Sequence, residues 1–311
     1  MLLTIVVPVY NEEENIKPLF DLIVNTVQTN NYDYEIIFID DGSTDKTLDE
    51  LIKVQKENSH TKIISFKKNF GQTASLSAGF DHAMGDVIIA MDGDLQNDPS
   101  DIPNLLKGIE DGYDIVSGWR KSRQDKVLLR KAPSKIANWL ISKITGVYLH
   151  DYGCTLKAYK PEAIKSIRLY GEMHRFIPAL ASWNGARIME IPVKHNARKF
   201  GKSKYGIWRT FRVVLDLLTV KFMLSFITKP LHMLGFWGLL LLFSGTGYGF
   251  ILLVQRILFD SYIKPLRPLI VVLFIVSGIQ LITMGLVAEI NIRTYFESQK
   301  KPIYNIKKIY E

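Results

Sequence analysis

Two stretches towards the carboxyl-terminal end of the chain carry no charge: from Pro230 to Val254 and from Pro268 to Ala288 there is no Asp, Glu, Lys or Arg. A helix needs about 20 apolar residues to cross roughly 30 Å of bilayer hydrocarbon, and both stretches are that long. The sequence therefore predicts two transmembrane helices, over about 230–255 and 267–289. Neither resembles a cleaved signal, because Met1-Leu2-Leu3 leads directly into a strand-like segment and the first apolar stretch lies far into the chain.

A formal charge of +8 over 311 residues raises nucleic acid as a partner. The basic residues, however, crowd into Lys194–Lys229 and the tail after Arg293. Beside membrane spans such residues face anionic headgroups on the cytoplasmic side. Membrane lipid is thus the expected partner, and nucleic acid is not. An even number of spans puts the segments before and after them on one side. The connection Gln255–Arg267 works against orientation by charge, since it holds Arg256, Lys264 and Arg267 against Asp260. Cys154 is the single cysteine, which excludes an intrachain disulfide, and no Asn-x-Ser/Thr acceptor occurs. Both fit a reducing cytoplasm. The expected location is the inner, cytoplasmic membrane, as a multi-pass protein whose larger domain faces the cytoplasm.

Through the first two hundred residues, short apolar runs alternate with amphipathic stretches. Leu2–Val9, Tyr34–Ile39, Lys62–Phe66, Val87–Met91 and Tyr113–Ser117 have strand character, while Asn15–Val27, Lys46–Lys56, Thr73–Met84 and Ile102–Glu110 have helical spacing. Such alternation predicts an α/β fold with a doubly wound, mostly parallel sheet. Ligands of these sheets lie beyond the carboxyl ends of the strands. That rule gathers Val9–Glu12, Asp40–Ser43 and Asp92–Gln96 at one edge. The expected organisation is a ligand-binding α/β domain over 1–204, interfacial amphipathic helices over 205–229, two membrane helices over 230–289 and a basic cytoplasmic tail over 290–311. Further helical spacing occurs at Ser134–Ile144. Ile207–Ile227 combines apolar and basic faces, as a helix lying in a membrane interface does. Gly245 and Gly249 have the small-x-x-x-small spacing of packed membrane helices and raise a homo-oligomer as a possibility.

Asp92-Gly93-Asp94-Leu95-Gln96 carries the sharpest chemical signal. Two carboxylates and an amide oxygen at alternate positions after a strand suit Mg²⁺ or Mn²⁺, with coordination positions left over for diphosphate oxygens. Two more acidic segments accompany it, Pro8-Val9-Tyr10-Asn11-Glu12 after the first strand and Asp40-Asp41-Gly42-Ser43-Thr44-Asp45 after the second. Acidic groups there suit ribose hydroxyls and base edges, whereas they repel phosphate. Asp41–Asp45 equally describes a turn running into a helix cap at Thr44 or Asp45.

Together these segments resemble the family-two glycosyltransferases of GT-A type fold, most closely the dolichyl- and polyprenyl-phosphate sugar synthases, including the bactoprenol glucosyltransferases. The resemblance extends over essentially the whole chain, since part of that family has a similar pair of spans. It implies that Pro8, Tyr10, Glu12, Asp40 and Asp41 hold a nucleoside, with Asp92 contributing, and that Asp92, Asp94 and Gln96 hold the metal. Gly118-Trp119-Arg120 stands where the family has Gly-Ser-Arg, and Arg130 and Ser134 keep the spacing of its acceptor-phosphate site, so Arg120, Arg130 and Ser134 are the expected acceptor ligands. Asp151-Tyr152-Gly153-Cys154-Thr155-Leu156-Lys157 is similar to the family's Asp-x-x-x-Gly-Phe-Arg region, with Thr155 and Lys157 among its departures. Asp151 is expected to orient a substrate or act as a weak base, with a structural turn as the alternative. Arg198, Ser203 and Lys204, in Arg198–Tyr205, match the family's element that closes over the nucleotide phosphates.

Asp94, Asp151, Arg198 and Lys204 are therefore the expected catalytic residues. The implied reaction is inverting, metal-dependent transfer of a hexose to a polyisoprenyl phosphate such as undecaprenyl phosphate. UDP-glucose is the first candidate donor, GDP-mannose the second and another UDP-hexose the third. A lipid-binding or flippase-like scaffold is the non-enzymatic alternative. A P-loop is excluded, because Asn196 stands where that motif needs glycine before Gly201-Lys202-Ser203. The first strand also lacks the Gly-x-Gly-x-x-Gly of a dinucleotide site.

Overall fold

The computed structural model describes residues 1–121, 142–143, 145–165, 167, 169, 173–197, 230–259, 264–298 and 306–310. Two compact units make up the chain: Met1–Lys221 with Pro302–Glu311, and Phe222–Lys301. The helices expected at Ser134–Ile144, apart from Ser142 and Lys143, and at Ile207–Ile227 lie outside the described residues.

The first unit is built on an eight-stranded sheet. Its strands are β1 (Leu2–Val9), β2 (Asp33–Asp40), β3 (Thr61–Phe66), β4 (Val87–Ala90), β5 (Ile115–Trp119), β6 (Lys157–Tyr159), β7 (Ile188–Pro192) and β8 (Ile306–Tyr310). They lie in the order β7-β5-β6-β4-β1-β2-β3-β8. The β1–β2, β1–β4, β2–β3 and β5–β7 pairs are parallel, and β6 and β8 run against their neighbours. Helices α1 (Ile16–Thr29), α2 (Thr47–Glu57), α3 (Gln72–His82) and α4 (Ile102–Glu110) connect the early strands, and the short helices α5 (Pro161–Ile164) and α6 (Ile177–Trp183) follow β6.

The apolar runs are nearly continuous because both faces of the central strands are covered. Leu3, Ile5, Val7 and Val9 of β1 join a core with Ile16, Leu19, Phe20 and Ile23 of α1 and Leu105 and Leu106 of α4. On the opposite face, Gly79 brings α3 against Val6 and Ile39. Each fully buried Leu or Ile contributes roughly 1.5–3 kcal/mol, so this double burial fixes the register of β1 between β2 and β4.

That order has a functional consequence. From β1 the chain passes to β2 and β3 on one side and later places β4 on the other, and sheets of this kind take their ligand in the crevice beyond the carboxyl ends of the strands where the order reverses.

β8 follows both apolar helices in the chain, yet it pairs antiparallel with β3, aligning Ile63 with Tyr310, Ile64 with Ile309 and Ser65 with Lys308. Residues assigned from sequence to a basic tail thus complete the sheet and cover backbone groups that would otherwise be an open edge. Deleting 306–311 is expected to cost about 1–3 kcal/mol and to promote aggregation. Thermal unfolding and size-exclusion chromatography in detergent would measure both, and an unchanged melting temperature would deny β8 a stabilising part.

The second unit pairs α7 (Pro230–Phe259) with α8 (Leu266–Ser298). Both are long and apolar enough to cross a membrane, over Leu234–Leu258 and Leu266–Ala288. Their contact is made by glycine: a Cβ on Gly238 would stand 2.8 Å from the Gly278 oxygen, and one on Gly278 would stand 2.7 Å from the Gly238 oxygen. Gly245 faces Phe274 and Ile275, and Gly249 faces Val271. The small-residue spacing that raised a homo-oligomer is therefore used within the chain, to seat α8 on α7.

Candidate active site

The loops after β1 and β2 are stitched to each other. Asn11, in the left-handed region at φ 51°, donates its backbone N–H to Ser43 Oγ at 3.0 Å and accepts from the Thr44 N–H on Oδ1 at 2.8 Å. The Glu12 N–H donates to Thr47 Oγ1 at 2.8 Å, and Glu12 Oε2 accepts from Asn15 Nδ2 at 2.6 Å. Asp40 accepts from the Ser43 N–H at 2.9 Å and from the Ser65 hydroxyl at 3.0 Å. Asp45 accepts from the Thr47 N–H at 3.0 Å, at the first residue of α2, although the N-cap position itself is Lys46 and not the Thr44 or Asp45 expected from sequence. Val9 lies in register with Asp40 and Pro8 with Ile39, so Pro8, Tyr10, Glu12, Asp40 and Asp41 gather at the carboxyl ends of two adjacent strands.

Asp41 accepts from the N–H groups of Phe70 and Gly71 at 2.7 and 2.9 Å, pinning the loop before α3. Gly42 makes this close approach feasible: at φ +70°, a Cβ there would lie 2.5 Å from the Lys68 carbonyl carbon. Burial pushes the Asp41 carboxyl up to about 6, against the two N–H bonds, and Asp40 adds repulsion. The folded chain therefore takes up this proton before the unfolded one does. Asp41's contribution to stability is greatest below its ordinary value near 4 and is lost as pH rises to about 6. In Asp41→Asn the slope of melting temperature against pH should flatten in that window; an unaltered slope would assign the linkage elsewhere.

Across the crevice, Gly93 lets the loop after β4 lie against β1, since a Cβ there would stand 2.6 Å from Val9 Cγ1. Asp92 accepts from Gln72 Nε2 on Oδ1 at 2.7 Å and from the Thr155 hydroxyl on Oδ2 at 2.8 Å. Its own N–H donates to Asn97 Oδ1 at 3.0 Å. Asp94, only 8% exposed, accepts from the Gln96 N–H at 3.2 Å, with Leu95 between them at φ 60°. Burial first, and then the charge of Asp94, push the Asp92 carboxyl upward, while Thr155, Arg120 and Lys157 oppose them. Crowded carboxylates of this kind favour a cation. Among the described residues no three His, Cys, Asp or Glu side chains form a complete cage.

The segment Lys194–Asn196 runs along this loop. The Asn196 N–H donates to the Gln96 oxygen at 2.9 Å, His195 bridges Asn97, and the Lys194 N–H donates to Asp101 at 2.6 Å. Arg198, Ser203 and Lys204 follow it in sequence but lie outside the described residues, as do Arg130 and Ser134.

At the end of β5, Arg120 and Asp151 form a bidentate pair, Nε to Oδ2 at 2.7 Å and Nη2 to Oδ1 at 2.9 Å. Both side chains are nearly buried, at 12% and 8% exposed. Although burial works to lower it, the Asp151 bond and charge hold the guanidinium pKa above its ordinary value. Glu190 supports the pair from behind, accepting from the N–H groups of Asp151 and His150 at 3.0 Å each, while Trp119 stacks on His150 at 4.3 Å. The pair takes two of arginine's five N–H donors and leaves Nη1 outside it. Residues expected to serve separate purposes are thus one unit. Sequence reasoning did not identify Gln72 or Glu190, whose partners lie 20 and 39–40 residues away.

A sequence profile described as Glycosyl transferase family 2 matches residues 4–168. Dodecaprenyl-phosphate galacturonate synthase of Rhizobium johnstonii is 44% identical over 319 residues, spanning 99% of this chain and 93% of that protein. Glucosyl-3-phosphoglycerate synthase from Mycobacterium tuberculosis, solved with Mn²⁺ and UDP-glucose, has a similar structure, with a TM-score of 0.57 at 17% identity over 71% of this chain and 78% of that one. Its complex with Mn²⁺, UDP and glucosyl-3-phosphoglycerate gives 0.56 at 18% identity, over 71% and 79%. This last likeness is one of fold and agrees with the GT-A type sheet. With the family profile covering residues 4–168 and a relative matched along nearly its whole length, the chain is a glycosyltransferase that belongs to glycosyl transferase family 2, among the relatives of the polyprenyl-phosphate sugar synthases.

Proposed function

We propose that this enzyme transfers a sugar from a nucleoside diphosphate to a polyisoprenyl phosphate at the cytoplasmic face of a membrane. The observation that carries the reading is the gathering of the Tyr10–Glu12, Asp40–Ser43 and Asp92–Gln96 loops at the carboxyl ends of β1, β2 and β4. The Rhizobium relative supports a polyprenyl-phosphate acceptor, and its galacturonate puts that sugar ahead of the glucose expected from sequence. β8 supports an even number of membrane crossings, because chain from before and after the apolar helices shares one sheet.

In this reading Pro8, Tyr10, Glu12, Asp40 and Asp41 line the nucleoside side, and Asp92, Asp94 and Gln96 hold Mg²⁺ or Mn²⁺. The cation would supply positive charge against the departing diphosphate. Arg198, Ser203 and Lys204 close over the phosphates, and Arg120, Arg130 and Ser134 receive the acceptor phosphate. Asp151 fixes the guanidinium of Arg120 through Nε and Nη2 and leaves Nη1 outside the pair. A phosphomonoester has a second pKa near 6 and is largely ionised at neutral pH, so no strong base is needed. One phosphate oxygen forms a bond to the anomeric carbon as the carbon–oxygen bond to the diphosphate breaks, with inversion. The chain's task is to hold the two in line.

The test is to incubate purified protein in detergent with undecaprenyl phosphate and radiolabelled UDP-galacturonate, UDP-glucose or GDP-mannose, with and without Mn²⁺, and follow label into the organic phase. Label from UDP-galacturonate that depends on the cation is expected. No lipid-borne label from any donor would defeat the acceptor assignment, and preference for UDP-glucose would restore the sequence-based choice of sugar.

A further inference from the structure

We infer that Gln72 and Thr155 are positioning residues that clamp the Asp92 carboxylate from two sides and lock the donor site to the acceptor side of the fold; this rests on the function proposed above. Asp92 sits on the loop after β4, yet neither side-chain donor to its carboxylate comes from that loop. Gln72 is the first residue of α3 and reaches Oδ1 at 2.7 Å, while Thr155 precedes β6 and reaches Oδ2 at 2.8 Å. The terminal torsion of an aspartate is broad and roughly two-fold. A donor on each oxygen removes that freedom and fixes the plane in which the remaining lone pairs point.

Thr155 stands where the resembling family pattern has glycine, so this chain supplies a hydroxyl at a position where glycine has none. The same short segment carries Asp151, which grips Arg120 through two bonds. Its turn is closed by the Cys154 N–H on the Asp151 oxygen at 3.4 Å, and the buried Lys157 ammonium donates to the carbonyls of Tyr152 and Cys154. Residues 151–155 are thus a braced strut, with Arg120 at one end and Asp92 at the other. In-line displacement requires a fixed separation between acceptor phosphate and donor diphosphate, and misplacement by about 1 Å can cost 10²-fold in rate.

Thr155→Val, Thr155→Ser and Gln72→Leu in the full-length protein test this, with Mn²⁺ affinity in the presence of UDP read by the paramagnetic resonance of free Mn²⁺. Groups that orient ligands to a metal typically control affinity by 10–100-fold, so about a 10-fold loss is expected for Thr155→Val and Gln72→Leu, and a change within about twofold for Thr155→Ser. The melting temperature of the ligand-free protein should distinguish Val from Ser far less than the Mn²⁺ titration does. Unchanged affinity in both Thr155→Val and Gln72→Leu would overturn the inference. If Thr155→Val does not fold, rescue by Ser and loss in Gln72→Leu decide the matter. Failure of the unaltered protein to bind Mn²⁺ with UDP would instead sink the donor-site reading, and this inference with it.

Discussion

Asp94→Ala lowers sugar transfer by roughly 10²–10³-fold, the usual effect of removing one preorganised group that stabilises developing charge. Asp94 is nearly buried on a loop that Gly93 presses against β1, so neighbouring water is poorly placed to take over its role. The substitution gives up the bond from the Gln96 N–H but relieves the repulsion that the charge of Asp94 exerts on Asp92, so the two effects on the ligand-free chain oppose each other. The signature is therefore a collapse of transfer out of proportion to any change in melting temperature. Transfer at the unaltered rate would remove the cation from the account.

Arg120→Ala should have the largest effect on stability. It removes both guanidinium donors that Asp151 accepts from, at a site where both partners are nearly buried, and breaking a buried ion pair costs roughly 3–5 kcal/mol. For a domain of this size that corresponds to a fall on the order of 10 °C in melting temperature. A double variant, Arg120→Met with Asp151→Leu, should recover much of the loss, since replacing both partners with apolar side chains removes the two buried charges together. It should not recover transfer. A drop below about 1 kcal/mol for the single variant would mean that water already solvates the pair.

Where burial imposes a pattern, the fold was legible before the structure. β1 has the limits expected of it, β3 and β4 differ from the expected strands by one residue at one end, β2 by one residue at each end, and β5 is shifted by two residues. Their apolar runs and the helical spacing of α1 and α4 record packing on both faces of the sheet. β6 escaped notice because three residues, Lys157–Tyr159, cannot display a period. β8 escaped because Ile306–Tyr310 carries the charges that blunt a sheet edge, and those charges resemble a solvated tail. Asp92 and Asp94 stood out because they follow an apolar run, and they lie on the loop after β4. The meeting of Arg120 with Asp151, or of Thr155 with Asp92, is a tertiary event across 31 and 63 residues. Nothing local announces such a partner, although Thr155 was visible as a departure from the family's glycine.

The position of β8 also bears on how the molecule is made. The ribosome must produce α7 and α8 before it produces β8, so the sheet that begins to fold first is finished last. Until β8 has been made and has docked, the outer margin of β3 lacks its partner strand. A copy in which β8 fails to dock keeps that margin bare, and a bare strand edge is a template on which another chain can add.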